Sequence, residues 1–424
     1  MQQHSTMSPS ALVDDVLAEI FLRLPPESIL CLRAVSKRWR RIATCPTFVV
    51  AYSRRRPIEL LAYPDGHNLR RGAKNTLAAV DPADGGRTGC RRFLRVDVQL
   101  HLVDSRDGLL LFADGKRSFL ICNPATRQWA SLPPLPPEMC ACRVPSGLYF
   151  HRPSGEHRVL CIGEPPPPEY KYFPPTFQYG RMPDGGGEAA LPHAGPFYYI
   201  LSTGAGKARR LGPVAEGQYG PIRPSACLAL GGSLHWAQHP EAGGSGDIVA
   251  FDTVSETFRL IPRPPSTSLH RLGLFDMDGA LAASAVPEWS MPARMDVWVL
   301  GDGDSGETWT CRARIDLPTP RNLQWCPSEA AVAVLDGDVV VVVSSGWVVL
   351  YDMKGKKTVS MVHHSRSIGN SNQLIYRASL VPLPEHDEQP CPGGEQLLQY
   401  CCADDPFMSS NGSNCGTWIV PNGI

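Results

Sequence analysis

A motif that returns four times after residue 100 limits this chain more than any other feature. One copy runs Gly108-Leu109-Leu110-Leu111-Phe112, then Phe119-Leu120-Ile121-Cys122, a corner Asn123-Pro124-Ala125-Thr126, Trp129, and the exit Leu132-Pro133-Pro134. A second reads Gly231-Gly232-Ser233-Leu234-His235-Trp236, then Ile248-Val249-Ala250-Phe251, the corner Asp252-Thr253, Phe258, and Ile261-Pro262. A third runs from Gly279-Ala280-Leu281 through Val297-Trp298-Val299-Leu300 to Trp309 and Leu317-Pro318. The fourth goes from Gly337-Asp338-Val339 through Trp347-Val348-Val349-Leu350-Tyr351-Asp352 to Val359. The equivalent positions Phe258, Trp309 and Val359 are 51 and 50 residues apart. Each piece has its own physical role. Glycine admits a positive φ at the strand entry, the Asn or Asp corner bonds its own turn, and the large apolar residue after it fills space between sheets.

A period of roughly 50 residues with several strands per unit is the signature of a β-propeller, with blades of kelch-type length. The interval from Trp129 to Phe258 leaves room for one or two divergent units, such as Gly147 to Ile162 and Phe197 to Leu211. The 41 prolines and 39 glycines, nearly a fifth of 424 residues, are dispersed among apolar runs, as many short strands and many turns require. Val339 to Tyr351 is the most apolar stretch, but it is broken by Ser344-Ser345-Gly346 and falls short of the roughly 20 residues that span a bilayer. It reads as a strand pair, and no membrane partner is expected.

The N-terminal part follows a different period. After a polar segment, residues 1–10, the positions Leu12, Val13, Val16, Leu17, Ile20, Phe21 and Leu24 recur at helical spacing, with Asp14 and Asp15 in the first turn. Pro25 and Pro26 end this helix, and Pro26 can open a second one carrying Ile29, Leu30 and Leu32. Ser36 can cap a third helix, Lys37 to about Thr44, with Trp39, Ile42 and Ala43 inward, and Pro46 stops it. Three helices over residues 11–50 make too small a unit to be comfortable alone, so docking on another element is expected.

The string LVDDVLAEIFLRLPPESILCLRAVSKRWRRIATCPTF, Leu12 to Phe48, resembles an F-box, the motif by which substrate receptors attach to the Skp adaptor of SCF ubiquitin ligases. Leu24-Pro25, the run Val35-Ser36-Lys37-Arg38-Trp39, and Pro46 with Phe48 stand where that family has them. The downstream repeat, GLLLF near 108 and NPATRQW at 123–129, is similar to the F-box-associated domain of the large plant F-box families. The resemblance implies an adaptor-facing surface of Leu12, Val13, Leu17, Ile20, Leu24, Pro25, Leu30, Val35 and Trp39. One departure stands at the motif start, where Leu12-Val13 replaces the family's Leu-Pro and loses a rigid first-turn residue.

The expected architecture is therefore multidomain: a small all-α three-helix F-box at 11–50, a linker with first strands at 51–100, an all-β propeller-like domain with kelch-type repeats at 101–385, and a tail at 386–424. Trp418-Ile419-Val420 could supply a closing strand. The expected partners are the Skp-type adaptor, through it the cullin and RING subunits, and a protein target, with segments 164–196, 238–247 and 301–306 as target-contact candidates. A propeller scaffold whose F-box-like helices no longer bind the adaptor is the rival.

Other chemistries find little support. Lys+Arg and Asp+Glu are both 41, and a sequence-independent nucleic-acid binder normally needs a cationic excess, so nucleic acid is not an expected partner. The basic residues Lys37, Arg38, Arg40, Arg41 and Arg54 to Arg56 read as a solvated helix face or a nuclear-targeting run. Gly204-Ala205-Gly206-Lys207 lacks the earlier glycine of a phosphate loop, and Ala208 stands where Ser or Thr must hold the metal, so a hairpin is expected there. Cys140 and Cys142, or Cys401 and Cys402, lack zinc spacing, and the 14 cysteines fall below disulfide-scaffold density. A reducing compartment, cytoplasmic or nuclear, is expected, with no metal, no cofactor and no catalytic residue. His235 beside Trp236 reads as a structural histidine.

Overall fold

The computed structural model describes residues 13–63, 74–82, 91–97, 100–114, 117–136, 146–163, 197–212, 227–238, 246–265, 267, 271–286, 294–303, 306–317, 330–336, 338–344, 347–363, 367–368, 375–383 and 398–400. It opens with four helices: α1 (Asp14–Phe21), α2 (Pro26–Val35), α3 (Lys37–Thr44) and α4 (Pro46–Arg55). Pro26 and Pro46 each occupy a first helical position, where the missing N–H costs nothing. Ser36 caps α3, its Oγ accepting from the Trp39 backbone N–H at 3.1 Å. Pro46 does stop α3, but it also starts α4, so the expected three helices are four. Arg54 and Arg55, read as part of a connecting stretch, form its last turn.

Six sheets follow, each a propeller blade. The first contains β1 (Glu59–Tyr63), β2 (Lys74–Val80) and β3 (Arg91–Asp97). The second is β4 (His101–Arg106), β5 (Leu109–Ala113), β6 (Phe119–Asn123) and β7 (Gln128–Ser131). The third is β8 (Ser146–His151), β9 (Glu156–Gly163), β10 (Phe197–Ser202) and β11 (Arg209–Arg210). The fourth is β12 (Leu228–Leu230), β13 (Ser233–Ala237), β14 (Ile248–Asp252) and β15 (Phe258–Ile261). The fifth is β16 (Arg271–Met277), β17 (Ala280–Val286), β18 (Arg294–Gly303) and β19 (Gly306–Asp316). The sixth is β20 (Ala331–Asp336), β21 (Val339–Ser344), β22 (Trp347–Asp352) and β23 (Lys357–His363). Three C-terminal strands, β24 (Ser367–Ile368), β25 (Ile375–Tyr376) and β26 (Leu398–Tyr400), return to the first sheet, β24 and β25 on β1 and β26 on β3.

Of the one or two divergent units left open by the sequence, the structure has one: Gly147–Ile162 and Phe197–Leu211 are the two halves of a single blade. The strands β1, β2 and β3 are a full part of the ring, because their missing inner strand comes from β24 and β25. Among the described residues β24 and β25 close the ring on β1 and β26 adds an edge strand to β3, while Trp418-Ile419-Val420 lies outside them. The stretch Val339–Tyr351 is the expected strand pair, and Gly204–Lys207 lies in the turn joining β10 to β11.

Alternation along each strand builds the ring. In β5, Leu110 and Phe112 pack toward the first blade with Leu77 and Leu94, whereas Leu109 and Leu111 pack toward the third with Leu148 and Val159. Both faces are covered, so all five residues are buried. The same division continues through Leu160 with Trp236, Ala250 with Leu274, Phe275 with Val340, and finally Val341 with Leu60, which joins the sixth blade to the first. The apolar residue after each corner behaves less uniformly than expected. Phe258 and Trp309 pack between blades, but Trp129 and Val359 are exposed.

The corners bond themselves as anticipated. Asn123 Oδ1 accepts from Ala125 N at 2.9 Å, and Asp252 Oδ1 accepts from Val254 N at 2.9 Å. Since strands alternate, the first and third turns of a blade share one end of the ring. Arg158 beside the first turn of blade three meets Glu256 in the third turn of blade four, so neighbouring blades agree on that end. The helices attach there too, because α4 leads into Glu59, which accepts from Arg91 at the start of β3. The strand ends that bracket 164–196 and 238–247, namely Gly163 with Phe197 and Ala237 with Ile248, lie at the opposite end. Of segment 301–306, grouped with them from sequence, the described residues 301–303 and 306 end β18 and begin β19, and the paired Gly303 and Gly306 lie at the helix-bearing end.

Candidate functional site

The apolar sector of α1 is wider than the helical core it covers. Leu17 and Phe21 are buried among Ile29, Ile42, Phe48 and Tyr52. Val13, Val16 and Ile20, within about 60° of one another on a helical wheel, remain 64%, 46% and 43% exposed. Val35, at the end of α2, is 62% exposed.

The residues singled out from sequence therefore divide into groups. Val13, Ile20, Pro25 and Val35 are exposed; Leu24, Leu30 and Trp39 are half-buried, Leu24 and Trp39 against the core; Leu17 is inside it. Leu12 lies outside the described residues. Val16 was missed, although it shares the helical period with Val13 and Ile20. Val13 holds φ −62°, the angle a proline would impose, so the departure at the motif start keeps the backbone course.

Charged contacts orient the four helices. Asp14 accepts from Arg38 Nε at 2.6 Å and from Arg41 Nη2 at 2.8 Å, and the hydrogen bond from Arg38 holds its carboxyl below the usual range. Glu19 accepts from both terminal nitrogens of Arg55 at 2.8 and 3.0 Å. These pairs are solvent-exposed, so they set direction more than stability. Deeper in, Trp39 meets Phe21 edge-on at 5.5 Å between centroids. Tyr52 donates to the Leu24 carbonyl at 2.9 Å, and burial pushes its phenol up to about 12. Arg56 lies over the Tyr52 ring and donates to the carbonyls of Leu22 and Leu24, closing the open C-terminal end of α1.

Three of the propeller's described thiols, Cys122, Cys161 and Cys227, are buried, whereas Cys311 on β19 is exposed. Burial pushes the thiols of Cys122, Cys161 and Cys227 up, which keeps them protonated and weakly nucleophilic. His235 is buried beside Trp236, and burial pushes its imidazole down to about 4. Among the described residues no group of three or more His, Cys, Asp or Glu could hold a metal ion. The cysteine pairs at 140 and 142 and at 401 and 402 lie outside them.

A family profile described as an F-box associated beta propeller domain matches residues 92–381, more than half of the chain, and an F-box domain profile matches residues 9–50. The chain belongs to the F-box-associated β-propeller family. Among relatives of this F-box protein in Arabidopsis thaliana, F-box protein At3g07870 is 23% identical over 84% of this chain and 88% of its own length. Putative F-box protein At1g12855 is 26% identical over 74% of each chain. F-box protein At5g49610 is 22% identical over 87% of this chain and 97% of its own.

Proposed function

We propose that this F-box protein is the substrate-recognition subunit of an SCF, or cullin-RING, ubiquitin ligase. The observation that carries the reading is the uncovered half of the α1 apolar sector, Val13, Val16 and Ile20, beside a formed helical core. Apolar anchors at helical spacing are what helix-in-groove recognition uses, and a Skp-type adaptor is the partner the F-box implies. Through the adaptor the chain would reach the cullin and RING subunits, while the propeller would hold a protein target. Strand ends opposite the helices, such as Gly163 with Phe197, carry the longest connections and are the favoured source of target contacts. The chain itself would supply proximity and no acid, base or nucleophile. Its setting would be cytoplasmic, nuclear or both.

The test is direct binding of the full chain to a purified Skp-type adaptor. Wild type should bind, and Val16→Glu combined with Ile20→Glu should weaken binding by about 30-fold or more, as loss of a central apolar anchor does. Charges at Leu24 or Trp39 would disturb the core and confuse the result. Absence of binding by folded wild type would overturn the reading in favour of a propeller scaffold.

A further inference from the structure

We propose that residues 377–383 make the adaptor-docking helices conditional on closure of the propeller ring. β25 ends at Tyr376, and the next seven residues cross the helix-bearing end of the first three blades. Their side chains fill three separate cores. Ala378 packs between the first and second blades, Leu383 between the second and third, and Leu380, fully buried, enters the helical core with Phe21, Ile29 and Tyr52. So short a helical unit buries little apolar surface by itself, and part of its floor is a residue supplied from near the other end of the chain.

The strap is fastened to the propeller independently of the helices. The side-chain amide of Asn123, in the corner after β6, donates to the Ser379 carbonyl at 3.2 Å and the Val381 carbonyl at 2.7 Å. Gln128 Oε1 accepts from Leu383 N at 3.2 Å, and His157 of the third blade bonds the backbone of Pro382. Leu380 can take its place only when β24 and β25 have paired with β1, the same pairing that supplies the first blade's inner strand. An open or shortened ring therefore leaves the helices without their floor. Adaptor docking on α1 is thereby restricted to chains whose propeller is complete, a consequence that rests on the adaptor reading above.

Hydrogen exchange of α1–α4 in the full chain tests the coupling without any partner, and adaptor binding tests its consequence. Two variants address it: Leu380→Asp removes the floor, and Asn123→Asp keeps the acceptor that bonds Ala125 and Thr126 but removes both donors to the strap. Both should raise exchange in α1–α4 by about tenfold or more while β14 and β17 stay protected, and Leu380→Met should restore protection. Should Leu380→Asp also expose β14 and β17, Asn123→Asp and the milder Leu380→Ala decide. Unchanged exchange in α1–α4 would overturn the coupling. Failure of wild type to bind adaptor would overturn the proposed function and leave the exchange result standing, so the two fail separately.

Discussion

Glu256 accepts a hydrogen bond at 2.6 Å from Nη1 of Arg158, tying the third turn of the fourth blade to the third blade. Arg209 donates to its other oxygen and the Tyr149 hydroxyl donates at 3.2 Å. Burial alone would push this carboxyl up, but the guanidinium groups of Arg209 and Arg158 outweigh it and hold the group below its ordinary value. The residue also sits at φ +54°, a conformation that favours glycine.

Replacing Glu256 should reveal both effects. Glu256→Ala is expected to lower unfolding stability by about 2 kcal/mol, since it removes the hydrogen bonds from Arg158, Arg209 and Tyr149 and leaves the largely buried Arg158 only its pairing with Glu156 on its own strand. Glu256→Gly should lose about 1 kcal/mol less because it relieves the left-handed backbone. Denaturant midpoints check this, and equal losses in the two variants would argue against the strain.

Gly108 and Gly279 offer a matched pair. Both have positive φ, +78° and +86°, but a Cβ on Gly108 would collide with Ser379, whereas nothing lies within 4 Å of one on Gly279. Gly279→Ala should cost about 1 kcal/mol and Gly108→Ala roughly 3 kcal/mol. Thermal melts of the two variants give the comparison.

Acid should weaken the fold through His235. Burial depresses its folded pKa to about 4 from 6.5, with Arg259 and Arg106 acting in the same sense and the Leu228 carbonyl opposing. The unfolded chain takes up the proton first, so the contribution is complete above pH 6.5 and is lost as pH falls toward about 4. The loss is about 3 kcal/mol by linkage. His235→Gln should flatten that part of the stability profile, and an unchanged slope would point to other groups.

Stability and docking should separate on the helical unit. Trp39→Ala, which removes the contact with Phe21, is expected to cost about 2 to 3 kcal/mol. Ile20→Ser, on an exposed position, should stay within about 0.5 kcal/mol while weakening adaptor binding. Helix exchange and adaptor titration on the same samples check both.

Proline and corner residues made much of this fold legible in advance. Pro25, Pro26 and Pro46 marked helix ends through their fixed backbone angle and missing N–H, and Ser36 through its side-chain cap on α3, but a proline at the first helical position both ends one helix and begins another, which hid α4. The second, third and fourth strands of most blades were readable from Gly108, Asn123, Asp252 and Asp352. Most innermost strands were not; β4, for one, carries Asp104 and Arg106 where the pattern would ask for apolar residues. Asp104 accepts from Leu148 N of the next blade, a demand that exists only in three dimensions. On α1 the period located an apolar sector, but it could not say that Leu17 would be covered and Val16 left open. That division depends on α3, α4 and a leucine at position 380.

The first blade draws β1–β3 from one end of the chain and β24–β26 from the other, and this makes the molecule mechanically uneven. A tensile load applied from the C-terminal side meets the three paired residues of β26 first, then the strap, then the short strands β25 and β24. Blades two to six each keep all four of their strands on one continuous stretch of chain. Traction would therefore unzip a single seam and pull Leu380 from beneath the helices before any other blade yields.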